Sequence, residues 1–364
     1  FASLVGLLAA DSAVSQFFIS PYSEPAELIG TFALCAALLA LWRRGHTTWP
    51  SLAIVGFLGT FVIGAKTQAA ALLPALIAAL LWLPHDWTPA WMHRRDGGPL
   101  PRPLTWAAAR VPGLVVSVAL VMTTGYFVAT APIGLSQQDV YAEVFGEILI
   151  HSTNPAADLR SLGADPSLAS AAGSNPESSN AATLRPEYLK FRQEVTFSKI
   201  FEFYLTHPTR LISVGADGLK GVDHWRQDYL GSYEPNSGHP PGAIEHRVGL
   251  YGALLQNIPE FVLVLIWVAT LYTGLRTARH PGLRPAERAV GALAIFVTIS
   301  SFLEFWAVMI SVGFPDLYRH MILTNVLLAL GLPLMIACVA VRTRAARYIP
   351  DSSLSSILGP KEWI

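Results

Sequence analysis

The residues best suited to chemistry are acids, cations and hydrogen-bond donors near the ends of apolar stretches. They are Glu24 and Glu27, Lys66 and Gln68, and the run FPDLYRH with Asp316, Tyr318, Arg319 and His320. A carboxylate beside cations suits transfer from a sugar phosphate, the one taking a proton from the acceptor and the others holding the departing phosphate. Arg319 fits the second task because its planar fork meets two phosphate oxygens, with Lys66 as a point charge. Each group also has a plainer account. A Tyr-Arg-His run at a helix mouth can be an interfacial anchor, and Glu24, just ahead of a helix, can simply oppose the helix dipole. Lys66 is harder to explain that way, since a lysine in a tight turn between apolar runs gains little by snorkelling. Glu304 lies well inside an apolar run, where a carboxylate is costly and marks either function or a paired structural role.

These groups can act together only if the intervening segments bring them to one side of a membrane. Of 364 residues, 52% are hydrophobic and 14% charged, with a mean hydropathy of +0.43, whereas soluble domains carry about 25% charged residues. The expected fold is an all-α, polytopic membrane helix bundle of about seven spans, each near the length that crosses a bilayer, plus a truncated first one. The lipid bilayer is the first partner implied. A formal net charge of zero supplies no basic face for nucleic acid and no acidic tail. Cys35 and Cys338 fall in apolar runs and read as small buried hydrophobes.

Residues 1–10 read as the tail of a helix whose beginning is absent. Apolar runs follow at 25–42, 51–65, 69–83, 106–130, 258–275, 289–312 and 321–341, with 51–65 and 69–83 short for a span. The expected layout is N-terminal transmembrane helices over 1–131, an extracytoplasmic and partly helical insert over 132–247, C-terminal transmembrane helices over 248–345 and a cytoplasmic tail over 346–364. Within the insert, 140–150 suits a short helix and 154–184 a loop-rich stretch. Residues 186–205 suit one helix whose packing face is Tyr188, Phe191, Val195, Ile200, Phe201 and Tyr204. Arginines alternate correctly for a cytoplasmic side: Arg43 and Arg44, then Arg94, Arg95 and Arg102, then Arg276, Arg279, Arg284 and Arg288, then Arg342, Arg344 and Arg347. The loop QFFISPYSEPAEL, the Lys66 turn, the insert and the Asp316–His320 loop then share the opposite face.

No Walker sequence, GxGxxG or GxSxG occurs, so a soluble nucleotide donor has no support. The histidines at 224, 239 and 246 form no close pair, and no Cys/His spacing supports a metal centre.

YSEP leading into a helix resembles the Tyr-Ser-Glu element of the C-type (GT-C) superfamily of membrane glycosyltransferases, and AKTQAAALLPALIAALL resembles its Lys-Pro/Thr-Gln turn. FPDLYRH resembles the loop that meets the lipid phosphate in that superfamily. The insert passages VFGEILIHSTNPAADLRSLGADP and DYLGSYEPNSGHPP are similar to bacterial surface-glycan hexosyltransferases of the WsfD-like family. The resemblance implies a polyprenyl-phosphate-sugar donor, a glycan acceptor outside the bacterial cytoplasmic membrane and inversion at the sugar carbon. Position by position, it implies substrate or lipid-phosphate binding by Tyr22, Lys66, Gln68, Tyr318, Arg319 and His320, and a supporting catalytic role for Glu24. Thr67 stands where the superfamily turn would have proline. The principal catalytic acid is expected in a loop before residue 1; within the present chain Asp11 takes the base role. Members of the superfamily differ in their use of a divalent cation, so the resemblance implies no fixed cofactor.

Two rival readings remain at this level. An O-antigen ligase or polymerase would use a similar loop with a diphosphate-linked oligosaccharide. A membrane transporter would place Glu304 on its path, although no repeated halves are visible and a large one-sided insert is foreign to such folds.

Overall fold

The computed structural model describes residues 2–19, 23–83, 85, 102–222, 224–225, 230, 233–234, 236–240, 243, 245, 247–256, 258–312 and 317–347. Tyr22, Asp316 and His246 lie outside the described residues. Among those described, the structure is helical with a single isolated bridge between Thr47 and His85.

After α1 (Ala2–Ala10), the first long helix is α2 (Glu24–Arg44). Pro25 opens it without losing a needed donor, Glu24 and Glu27 sit in its first turn, and Arg43 and Arg44 in its last. Gly45 ends it at φ 81°, a left-handed conformation that a side chain resists. Thr48 then starts α3 (Trp49–Ala65), its side chain and that of Ser51 capping each other's backbone. At Lys66 the chain is extended, and Thr67–Leu72 forms a 3₁₀ segment before α4 (Leu73–Trp82). The short apolar run over 69–83 is therefore partly 3₁₀ and partly α-helical. Likewise the 106–130 run breaks. A short helix, Arg102–Ala108, precedes α5 (Val111–Thr130), with Pro112 in the first turn of α5 where its missing N–H costs nothing.

The insert is more helical than its composition suggests. Directly after Pro132, α6 (Ile133–Glu143) runs into a π-helical turn at Val144–Ile148, so helix begins seven residues ahead of the expected 140. The stretch expected as one helix over 186–205 is α7 (Glu187–Glu194) and α8 (Phe197–Thr206), separated by extended backbone at Thr196. That break changes the helical phase. Tyr188, Phe191, Val195, Ile200 and Tyr204 are buried as expected, but Phe201 is 53% exposed and Phe203 is buried in its place. No helix was expected at α9 (Pro208–Val222), which follows α8 with only His207 between them.

Beyond α10 (Leu250–Leu255) come α11 (Glu260–Ala278), α12 (Pro285–Ser311), the single turn α13 (Leu317–His320) and α14 (Ile322–Arg347). Five helices, α2, α5, α11, α12 and α14, are long and apolar enough to cross a membrane, and two shorter apolar segments, Trp49–Ala65 and Thr67–Trp82, accompany them. The centre of the bundle is α12 and α14, while α5 and α11 lie outside. There Met122, Tyr126, Phe261 and Val268 point outward, each more than half exposed. A continuous apolar exterior on helices this long is what a lipid solvent requires.

Across the centre, Trp267 Nε1 donates to Ser301 Oγ at 3.0 Å, and that hydroxyl donates to the Thr324 carbonyl at 3.0 Å, linking α11, α12 and α14. The α11–α12 crossing is closer still. A Cβ on Gly291 would stand 2.5 Å from the Ala278 amide nitrogen and 2.6 Å from the Gly274 carbonyl oxygen, so only a small residue lets these backbones meet. Gly291→Ala is expected to destabilise the purified protein by about 1–3 kcal/mol, the usual effect of overpacking. Gly125→Ala, where a Cβ meets nothing within 4 Å, should leave the unfolding midpoint in detergent unchanged or slightly raised.

Candidate active site

The Lys66 turn gathers charge from helices distant in sequence. Lys66 Nζ stands 3.3 Å from Glu24 Oε1, with the two side chains 10% and 3% exposed. Arg319 Nε approaches the same oxygen at 3.7 Å. Glu27, one turn along α2 from Glu24, and Glu304 on α12 are fully buried and interact electrostatically with Lys66 and with each other. Neither of these two carboxylates has a hydrogen-bond partner among the described residues. Lys66 thus faces acids from two membrane helices, and the extended backbone at its position is what lets its stem leave α3 toward them.

Above this cluster His320 is clamped on both ring nitrogens. Nδ1 donates to Gln68 Oε1 at 2.8 Å, and Nε2 accepts from an Arg319 guanidinium nitrogen at 3.2 Å. Burial, with Lys66 and then Arg319 nearby, pushes the imidazole down to about 2, so His320 is neutral and fixes the faces of its two neighbours rather than exchanging protons.

Lys66, Gln68, Arg319 and His320 line one cavity of about 620 Å³. The insert closes its other side through Gln138, Asp139, Tyr141 and the stretch Ser174–Glu177. Asp139 was not singled out from the sequence, where it is one of many insert acids. Its position four residues before Glu143 on a helix opened by Pro132 is the only local signal. Burial pushes the Asp139 carboxyl up to about 6, opposed by Lys66, which leaves it mostly ionised at neutral pH yet basic enough to take a proton. A second cavity, about 660 Å³, shares Thr67, Gln68 and Asp139 with the first and continues along Ile63, Phe127, Leu303, Trp306 and Ile310. It is an apolar groove running from the polar chamber between α3, α5 and α12.

Other expected site residues stand elsewhere. Asp11, assigned the base role, is a structural strut. Its Oδ1 accepts from the Ala13 amide at 3.0 Å, and its Oδ2 accepts from the amides of Tyr251 and Gly252 at 2.8 and 3.2 Å. With both oxygens held by buried backbone donors, it ties the N-terminal segment to α10 and does not line the chamber. Glu24 does not line the cavity either. It lies behind the wall, with Oε1 at 3.3 Å from Lys66 Nζ and 3.7 Å from Arg319 Nε, where it can position the two cations. Tyr318 turns away from the chamber and stacks on His224 at 4.1 Å between ring centroids.

Residues 1–353 match the family model described as the YfdI N-terminal transmembrane domain. The chain belongs to this family. It is a multi-pass membrane protein, and the match spans the membrane helices and the insert alike. Comparison with curated proteins and with solved structures found no match. In this YfdI-family chain the features described above, a buried acid cluster under a polar chamber with an apolar side groove, all fall inside the matched region.

Removing one partner of a buried ion pair leaves the other charge uncompensated, at a cost of about 3–5 kcal/mol. Lys66→Met is expected to destabilise this YfdI-family protein by about that amount, and Glu24→Gln added to it should restore part of the loss, a coupling read from unfolding midpoints of both single variants and the double variant. His320 supplies a pH signature. Because its folded pKa lies below the ordinary value near 6.5, the unfolded chain binds the extra proton between about pH 6.5 and pH 2, and stability falls as pH drops through that window. The loss is at most about 1.4 kcal/mol per pH unit. Between pH 7 and pH 5 His320→Asn should therefore lose less stability than the parent; an equal loss in both would show that His320 is protonated in the folded state.

Proposed function

We propose that this protein is a membrane glycosyltransferase that moves a hexose from a polyprenyl-phosphate-linked donor to a cell-surface glycan at the extracytoplasmic face of the bacterial cytoplasmic membrane. The observation that carries this reading is the joining of a cationic chamber to an apolar groove through shared residues. A ligand that fills both has a charged head and a long hydrocarbon tail, which is the make-up of a polyprenyl phosphate sugar. Membership of the YfdI family supports the reading, as does the resemblance of YSEP, the Lys66 turn and FPDLYRH to C-type glycosyltransferases.

In this reading the lipid chain lies in the groove along Phe127, Leu303 and Trp306. Arg319 and Lys66 face the phosphate, and Gln68 and His320 keep the guanidinium oriented. Asp139 takes the proton from the acceptor hydroxyl as its oxygen attacks the anomeric carbon. The bond from that carbon to the phosphate oxygen breaks, and the polyprenyl phosphate leaves with the electron pair, its added negative charge met by the two cations. A single displacement of this kind inverts the configuration. The insert passages similar to WsfD-like enzymes support a hexose as the transferred unit, and the insert wall from Tyr141 to Glu177 faces the acceptor.

Transfer is measured with a radiolabelled polyprenyl-phosphate hexose in detergent or proteoliposomes, followed by extraction of the glycan product. Arg319→Lys keeps the charge but loses the fork, and should lower turnover roughly 100- to 1000-fold, the range for loss of one transition-state donor, with the unfolding midpoint retained. Asp139→Asn should be as severe. Full activity in both variants sinks this assignment, and product formed only from a diphosphate-linked oligosaccharide would favour a ligase.

A further inference from the structure

Away from the chamber, the insert brings together three side chains that serve no part of the transfer reading. Glu147 lies in the π-helical turn, His151 follows it by four residues, and Asp217 comes from α9. His151 Nε2 stands 3.6 Å from Glu147 Oε1 and 3.4 Å from Asp217 Oδ2, and one ligand atom from each residue lies within 4.8 Å of the other two. Glu147 is fully buried, and neither of its oxygens has a hydrogen-bond partner among the described residues. A buried carboxylate without a donor is costly unless something positive meets it. Its Oε1 faces the imidazole nitrogen, so whatever compensates it sits among these three groups.

We propose that Glu147, His151 and Asp217 bind a divalent cation of the zinc class, which clips the π-turn of the insert to α9. The spacing fits such an ion. In a tetrahedron with bonds of about 2.0–2.2 Å, neighbouring donor atoms lie about 3.4 Å apart; the two separations from His151 are 3.6 and 3.4 Å, and the two carboxylate oxygens lie within 4.8 Å of each other. One imidazole with two carboxylates suits a borderline metal such as Zn²⁺ better than Ca²⁺ or Mg²⁺, which take all-oxygen shells. Three protein ligands leave a fourth position to solvent, reached past His151, which is a third exposed. Lys220 Nζ occupies Asp217 Oδ1 at 2.6 Å and leaves Oδ2 to the metal.

The local backbone is shaped for this. The π-turn closes through the Leu149 amide on the Val144 carbonyl at 3.0 Å, and the Gly173 amide takes the Phe145 carbonyl at 2.8 Å. Such one-residue expansions re-aim side chains and recur at functional sites. On the other side, α9 is seated on the membrane bundle by Gly215, Gly218 and Gly221. A Cβ there would meet Trp306, Met309 and Leu317 at 2.7, 2.5 and 2.8 Å. A metal between Asp217 and the π-turn therefore connects the insert to a helix already fixed on α12 and α13.

The test is calorimetric titration of Zn²⁺ into the full chain in detergent, stripped with chelator and freed of any affinity tag, followed by thermal unfolding with and without the ion. The expected result is one zinc per chain and a raised unfolding midpoint. His151→Ala should weaken binding by at least roughly 100-fold, the upper end of what loss of a mere supporting partner costs a metal site, and should abolish the zinc-dependent rise. Where His151→Ala is not recovered folded, Asp217→Asn decides in its place. Failure of the parent chain to bind one equivalent, or unchanged binding in the variant, overturns the site and leaves His151 as an ion-pair bridge between two acids. The readout is independent of glycosyl transfer, so it stands whatever the donor proves to be.

Discussion

The ammonium of Lys66 faces Glu24, Glu27 and Glu304 on the floor of the chamber, largely shielded from water, and the helices around it are arranged to keep it there. Desolvating an ion costs several kcal/mol, and at an effective dielectric near 20 two opposite charges about 4 Å apart return about 4 kcal/mol. The Glu24 carboxylate at 3.3 Å offsets much of that cost for Lys66, and Glu27 and Glu304 surround the pair with further polar oxygen. The cluster ties α2 and α12 to the end of α3 at one depth in the bundle, and the same depth is the floor of the polar chamber. Arg319 joins through Glu24 and brings α13, with His320 and Gln68 holding its other edge. The wall that meets a ligand is thus fixed from behind by charge pairing and from the side by a neutral imidazole.

That construction separates holding from reacting. Glu24 and the acids below it are closed off from the cavity, so they set where the cations point without competing for a substrate proton. In the proposed transfer reading, the proton acceptor is Asp139, on the opposite wall formed by the insert. Asp139 sits on α6, which follows the outer membrane helix α5 with only Ala131 and Pro132 between. The apolar groove beside it is walled by α3, α5 and α12, all helices of membrane length or nearly so. Among the described residues, the polar chamber and the apolar groove share Thr67, Gln68 and Asp139.

Hydropathy carried the membrane helices, since a helix in lipid announces itself by length and apolarity alone. The polar groups of the chamber were legible too. Lys66, Gln68, Arg319 and His320 stand out because polar groups at the ends of apolar runs are few, and the arginine pattern put them on one face, where the structure joins them in one chamber. What was not legible depended on long-range placement. Asp11 reads as a spare acid until its oxygens are seen on amides some 240 residues away in sequence. Asp139 looks like any other insert acid, because only the folded wall opposite Lys66 distinguishes it. Glu147 and His151 share a helical face by their spacing, but the third group of that cluster is 66 residues beyond His151. The break at Thr196 was hidden because aromatic spacing continues through it, and only the exchange of Phe201 for Phe203 betrays the change of phase.

The insert's attachment bears on the chemistry through distance. In the proposed transfer reading, cations on the membrane side and a carboxylate on the insert side must hold their separation, since an error of about 1 Å in a reacting geometry can cost on the order of 100-fold in rate. The insert has a hydrophobic core of its own in Tyr141, Phe145, Phe191, Ile200 and Tyr204, and that core is continuous with Phe305, Val308, Met309 and Met321 of the membrane helices. Tyr141 belongs to this packing and also lines the chamber, donating or accepting at Ser174 Oγ across 2.6 Å. Through it, the residues that fix the insert are the residues that shape the cavity wall. The seam of glycines on α9 acts in the same direction, because close approach of backbones leaves no side-chain layer to slide. A loop-rich insert would have allowed the wall to breathe; short helices pinned by aromatic packing hold Asp139 at a set distance from Lys66.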